Sequence, residues 1–443
     1  MKRRSHPGLF IVACFAALAS SGTALLSLPF SHADATVGVS DAFFTSFSAV
    51  TVTGLAVQDT STAWTPFGQF VILLLIQIGG LGIMTLAGFM GLVVSQRMSV
   101  RAGMLAGTEI GLTDLGPLRP LLRGLVKFVI LSEALLAVAL SARFVLGDDN
   151  GAIIRPIFDG LFHAISAFNN AGFSTFAGGL ESYAADWFVN LVIAGGFIIG
   201  GIGFPVIFEL RKQWRKPDRW SLHTKVSLAF TGLLLAGGTL VIAALEWTNS
   251  GTLGALDPGD RILAAFFQSA TARTAGFNTV PFDALHSSTL LVFILLMVIG
   301  ANSASTAGGI KTTTFAVAIR STIGHFRGDA DVTMFRRRIP TELQQHALSL
   351  VVVALGTVGT AAFGLAIVEP DIETAKLLFE AASAFGTAGL SASVTPSLGT
   401  LGRIIIVVLM FVGRVGPITF GTAFLFRREA RHYRYPEDDL MVG

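Results

Sequence analysis

Four short segments carry the residues whose types and spacing could do chemistry. They read DAFFTSFSAVTVTGL (Asp41 to Leu55), FDGLFHAISAFNNAGF (Phe158 to Phe173), ILAAFFQSATARTAGF (Ile262 to Phe277) and LLFEAASAFGTAGL (Leu377 to Leu390). Each opens with bulky apolar residues at helical spacing, narrows to small residues, and closes on Gly54, Gly172, Gly276 or Gly389 followed by Leu or Phe. The glycines recur about every 110 residues, the mark of an internal repeat. The chemistry such segments offer lies in the main chain. A glycine permits turns that a side chain forbids, and carbonyl oxygens exposed at four such turns around one axis could replace the water shell of a monovalent cation. Enzymatic motifs are missing: there is no H-E-x-x-H, G-x-S-x-G or Walker-type G-K-[ST], and GGLG and GGIG lack the spacing of a dinucleotide fingerprint. The sequence therefore gives no reason to expect an enzyme, a catalytic residue or a covalent cofactor.

The elements that must position these segments are apolar. The 443 residues are 52% hydrophobic and only 13% charged, too few charges to cover a water-soluble surface. Eight stretches approach spanning length: Leu9 to Leu28, Gln69 to Val94, Leu121 to Leu146, Phe188 to Phe208, Val226 to Leu245, Ser288 to Ile319, Ala347 to Ile367 and Gly402 to Phe426. The four glycine segments fall between the members of successive pairs and are too short to cross by themselves. Their returning backbone must then be buried in protein or line a wet cavity. The expected fold is an all-α polytopic membrane protein, with eight transmembrane helices plus four re-entrant pore helices around a central pore. The repeats run over residues 1–96, 97–216, 217–338 and 339–443.

Basic residues set the orientation. Lys2, Arg3 and Arg4, then Arg97 and Arg101, then the run from Arg211 to Arg219, then Arg320 to Arg338, and finally Arg427 to Arg434 all fall on one side of the spans. The alternate loops hold Asp34, Asp41, Asp148, Asp149, Asp257, Asp260, Glu369, Asp371 and Glu373. The positive-inside bias puts the basic side, with both termini, in the cytoplasm of a multi-pass cell-membrane protein. It also accounts for the basic clusters without a nucleic-acid partner. Cys14 reads as a helix residue with no disulfide partner.

Polar residues inside the spans mark function by default. Leu290 to Ile299 is strongly apolar, but GANSASTAGG (Gly300 to Gly309) makes a poor membrane helix. Asn302, Ser303, Ala304, Ser305, Thr306, Ala307, Gly308 and Gly309 are expected to form an irregular loop across the pore, a barrier that must move, with Lys311 at its cytoplasmic return. Arg414, deep in the last span before Pro417, is expected to face this loop. Arg273, three residues before Gly276, needs a partner, and Glu380 in the next repeat is the expected one. Parallel repeats with hairpins on one side fit a pore better than the alternative, a secondary transporter of a small organic solute with inverted repeats.

TVTGL (Thr51 to Leu55), TARTAGFN (Thr271 to Asn278), FGTAGLS (Phe385 to Ser391), GANSASTAGGIKTTT (Gly300 to Thr314) and GRVGPIT (Gly413 to Thr419) resemble the Trk/Ktr/HKT superfamily of potassium transporters. The likeness covers nearly the whole chain and is nearest to KtrB-type membrane subunits, since no extra hairpin precedes the first repeat. It implies a potassium-selective filter at Val52, Thr53 and Gly54; Asn170, Ala171 and Gly172; Thr274, Ala275 and Gly276; and Thr387, Ala388 and Gly389. It implies a pore-facing arginine below the filter at Arg414. It further implies potassium as substrate under the influence of sodium, a homodimer, and a separate cytoplasmic ring that binds nucleotides and regulates conductance. Only one glycine per repeat is kept, in place of a longer fourfold-identical filter, so weaker discrimination against sodium is expected.

Overall fold

The structure, a computed structural model, describes residues 7–33, 37–82, 118–147, 151 and 153–416. It is built almost entirely of helices. Three of them, α5 (Leu118–Leu146), α9 (Leu222–Glu246) and α13 (Thr341–Val368), are long and apolar enough to cross a membrane, and no more than 22% of any of their apolar windows is buried inside the protein. A helix that is apolar on its outer face as well as its inner one belongs in lipid. The helices α1 (Pro7–Leu26), α4 (Pro66–Gly82) and α11 (Ser287–Val298) are apolar, and α15 (Thr400–Val415) closes the described chain. The expected second and eighth spans run on to Val94 and Phe426, and those ends lie outside the described residues, as do Asp34, Asp148, Asp149, Pro417, the termini and the flanking basic residues Arg97, Arg101 and Arg427 to Arg434.

The fourth span departs from the reading of Phe188 to Phe208 as one helix. It is broken into α7 (Trp187–Ile202) and α8 (Phe204–Gln213), which meet at 97°. Gly203 sits at φ 88°, ψ 137°, and Pro205 follows at the start of α8, so no helix can run through. Gly416 ends α15 with nearly the same angles, φ 91°, ψ 134°. The sixth span is interrupted as expected: α11 stops at Val298 and α12 (Thr312–Arg327) begins beyond the loop.

Four short helices fill the interior: α2 (Val39–Val50), α6 (Ile154–Phe168), α10 (Pro258–Thr271) and α14 (Thr374–Gly386). Of 12 to 15 residues, they reach about 18 to 23 Å, short of a hydrocarbon core of about 30 Å. Each packs against neighbouring long helices: α2 on α1 and α15, α6 on α5 and α7, α10 on α9 and α7, α14 on α11, α13 and α15. In three repeats a glycine makes that packing backbone to backbone. A Cβ on Gly79, Gly200 or Gly413 would fall under 3.0 Å from the carbonyl oxygen of Val50, Phe168 or Phe385, each four residues before a repeat glycine.

A small helix α3 (Thr60–Ala63) lies between α2 and α4. Between α12 and α13, Thr333–Met334 (β1) pairs antiparallel with Arg337–Arg338 (β2). This hairpin is held by a minor core of Val226, Ala316, Val332, Met334 and Ile339.

Candidate functional site

After each short helix the backbone makes the same unusual turn. Positive φ occurs at Val52 (54°), Asn170 (59°), Thr274 (73°) and Thr387 (50°), and two residues on at Gly54 (92°), Gly172 (69°), Gly276 (82°) and Gly389 (79°). Left-handed angles at valine and threonine cost on the order of 1–3 kcal/mol each and persist only where the surroundings enforce them. The surroundings here include hydroxyls and amides on the short helices. Ser48 Oγ accepts from the Gly54 amide at 3.1 Å, Ser166 donates to the Phe173 carbonyl at 2.8 Å, and Thr271 donates to the Phe277 carbonyl at 2.7 Å. Gln268 donates to Thr279 at 3.1 Å, His163 bonds Ser174 at 2.9 Å, and Glu380 accepts from Ser391 at 2.9 Å and from Thr395.

The four turns close on one another. A Cβ added to Gly54 would lie under 3.0 Å from the Ala171 carbonyl oxygen, one on Gly172 from that of Ala275, one on Gly276 from that of Ala388, and one on Gly389 from that of Thr53. The contacts run once around and return to the start. All twelve residues from Val52 to Gly389 that the sequence singles out thus lie in turns that meet as one ring. The arrangement offers neutral oxygen donors and no charged ligand.

On one side the ring opens into a cavity of about 240 Å³ that all four glycines line, together with Asp59, Glu181 and Asp283 and, among the described residues, no lysine or arginine. Burial, with the nearby Asp283 charge, raises the Glu181 carboxyl above its ordinary value, while a hydrogen bond from Asn278 at 2.7 Å pulls it back.

The interrupted segment Gly300 to Gly309 lies against the ring. Thr306 Oγ1 donates to Asn170 Oδ1 at 2.8 Å, and a Cβ on Gly308 would fall under 3.0 Å from Thr387 Oγ1, so the loop touches the turns of the second and fourth repeats. Its amides at Asn302 and Thr306 donate to the carbonyls of Gly201 and Gly200, at the break of the α7–α8 pair. Ser305 donates back to the Asn302 carbonyl at 2.6 Å, which folds the loop on itself. Arg414 Nη1 donates to the Thr306 carbonyl, and Lys311 Nζ donates to the Ala307 carbonyl at 2.5 Å. Arg414 is buried, and its Nε and Nη2 find no protein partner among the described residues. Two basic side chains therefore converge on one short loop.

Arg273 is not paired with Glu380. Its Nη2 donates to Thr312 Oγ1 at 2.9 Å, while Glu380 is taken up by Ser391 and Thr395. The carboxylate instead braces its own repeat. A second buried carboxylate escaped the sequence reading: Glu133 on α5 accepts from Gln77 at 3.1 Å and from Asn169 at 2.9 Å, directly behind the turn at Asn170. An acid in the middle of the span Leu121 to Leu146 was the available signal.

Comparison with known proteins bears on the family and the fold. The family model described as TrkH, cation transport protein, matches residues 2–432. The chain is 44% identical to the Ktr system potassium uptake protein B of Bacillus subtilis, covering 95% of this chain and 93% of that one. It is 42% identical to the protein of the same name from Vibrio alginolyticus, covering 95% and 91%. The crystal structure of the potassium transporter TrkH from Vibrio parahaemolyticus superposes with a TM-score of 0.75 at 20% identity, over 96% of this chain and 86% of that one, which speaks for the fold. The matched length and the apolar helices make this an integral membrane protein, and the chain belongs to the TrkH family of cation transport proteins.

Proposed function

We propose that this protein takes up potassium ions across the cell membrane through a pore on the axis of the glycine ring. The observation that carries the reading is the closed circuit of carbonyl contacts at Gly54, Gly172, Gly276 and Gly389, each preceded by the same pattern of φ. Four repeats, bounded as residues 1–96, 97–216, 217–338 and 339–443, each contribute a helix, a re-entrant pore helix and a second helix. The carbonyls of Val52, Thr53, Asn170, Ala171, Thr274, Ala275, Thr387 and Ala388 take the place of ion hydration. The acid-lined cavity is the outer mouth, where negative charge concentrates cations. The loop from Asn302 to Gly309, with Lys311 and Arg414, is the barrier on the cytoplasmic side of the ring. Both termini face the cytoplasm. A homodimer, a regulatory nucleotide-binding ring on the cytoplasmic face and an influence of sodium complete the reading.

Growth of potassium-uptake-deficient cells at low potassium, with and without sodium, tests the activity. Rubidium flux into proteoliposomes, set against flux of amino acids or sugars, tests the substrate. Rescue and rubidium flux are expected; organic-solute flux without rubidium flux would overturn the proposal. Orientation is tested by thiol labelling from outside intact cells: a cysteine at position 250 should react and one at 221 should not.

A further inference from the structure

Between α9, α12, α13 and the β1–β2 hairpin lies a cavity of about 380 Å³, within the size range of small-molecule sites. Its walls are apolar, with Leu222, Val226, Val317, Ala347 and Leu350 among them, while the Arg338 guanidinium and the imidazoles of His223 and His346 are nitrogen donors on the lining. Among the described residues no carboxylate lines it. The nearest acid to Arg338 is Asp331, bound to its Nε at 2.7 Å with both side chains largely exposed, an arrangement that holds the charge weakly. Pro340, just before the first turn of α13, also lines the cavity, and the positive end of that helix dipole adds to the field. Leu343 is on the lining and 52% exposed, and Val352 further along α13 is 69% exposed, so the wall passes into a helix surface that is apolar on the outside.

An apolar slot that passes into an apolar helix surface, lined by Arg338 and two histidines and, among the described residues, by no carboxylate, is complementary to an amphiphile with a negative head. We infer that this cavity binds one acyl chain of an anionic phospholipid, whose phosphate is held by Arg338 and His346. The ligand also reaches the loop. Ser303 and Thr313 are on the lining, and their hydroxyls are 3.1 Å apart. On the reading of the loop as a barrier, occupancy is a route by which the lipid composition of the inner leaflet bears on conduction.

The full-length protein is placed in nanodiscs of equal phosphatidylcholine and phosphatidylglycerol and extracted mildly, and retained lipid is counted by mass spectrometry. The wild type is expected to retain phosphatidylglycerol over phosphatidylcholine by about fivefold, the discrimination expected from roughly one basic residue near a lipid phosphate. Ala347→Trp, which fills the slot, should lose the retained lipid. Arg338→Gln, at an exposed position that leaves packing alone, should keep a lipid but bring the ratio of the two close to one. Equal retention of both lipids by the wild type, or undiminished phosphatidylglycerol in Ala347→Trp, overturns the site. So does a change of oligomeric mass in Ala347→Trp with lipid retention intact, which would mark the slot as a contact for a second copy. Retention is measured without any ion flux, so its failure leaves the transport reading standing, and absent flux leaves the site standing.

Discussion

Arg273 and Thr312 join the ring to the loop. The guanidinium, three residues before Gly276, donates to the Thr312 hydroxyl at 2.9 Å, and that hydroxyl donates to the Gly300 carbonyl at 2.9 Å. Thr312 opens α12 and Gly300 follows α11, so one hydroxyl fastens both ends of the loop to the turn of the third repeat.

Removing that hydroxyl strands a buried charge. Thr312→Val should destabilise the protein by about 1–3 kcal/mol, the usual cost of an unmet buried polar group, and should change rubidium flux, whereas Thr312→Ser should behave as the wild type. Thermal melts in detergent and flux in liposomes measure both. If valine and serine give the same melt and the same flux, the hydroxyl couples nothing.

The ring glycines have no room for a side chain. Gly389→Ala would press a methyl group onto the Thr53 carbonyl, and the equivalent change at Gly54, Gly172 or Gly276 onto the next carbonyl in the circuit. Each is expected to lower the potassium-to-sodium preference by at least about tenfold, or to abolish flux, with the protein still folded in the membrane. Three alanine variants with unchanged selectivity would remove the filter from this ring.

Deleting about six residues, from Asn302 to Ala307, takes away the carbonyls that hold Arg414 and Lys311 and the contact of Thr306 with Asn170. Flux should rise and dependence on a regulatory subunit should weaken, while the order of selectivity stays the same. Flux that remained at the wild-type level in folded protein would make the loop a structural brace.

On the proposed orientation, the acid-lined cavity gives a pH dependence. Because the Glu181 carboxyl is raised by burial and by Asp283, it takes up a proton at a higher pH than an ordinary glutamate as the external solution is acidified. The cavity then loses negative charge, and the apparent KM for potassium should rise about two- to fivefold. Glu181→Gln should show the raised KM already at neutral pH and respond less to acid. A variant that follows the wild-type pH profile would show that this charge does not attract the ion.

Much of the site was legible because it lies in the main chain. The glycines at 54, 172, 276 and 389, the helix break after Ile299 and the buried Arg414 are marked by residue type: glycine where a side chain would collide, small polar residues where a membrane helix should be apolar, charge where lipid would reject it. Side-chain partnerships were less readable. Arg273 could be matched to Glu380 by depth, but reach and direction assign it to Thr312, which no periodicity reveals. The bend at Gly203 was hidden inside an unbroken apolar run, and only Pro205 hinted at it. Glu133 was visible as a charge, yet its tie to Asn169 joins residues 36 positions apart.

The loop touches the ring through Asn170 and Thr387 and is pinned from the third and fourth repeats by Arg273 and Arg414. The backbone of the ring is fourfold in character; its attachments are not. In a channel of four identical subunits, opening has to be agreed among four equal parts. Here, on the proposed reading, a single latch supplied by one repeat reaches the turns of two others in a pseudo-symmetric frame, so its release is one event with one barrier, and each pore should switch between two levels without graded intermediates.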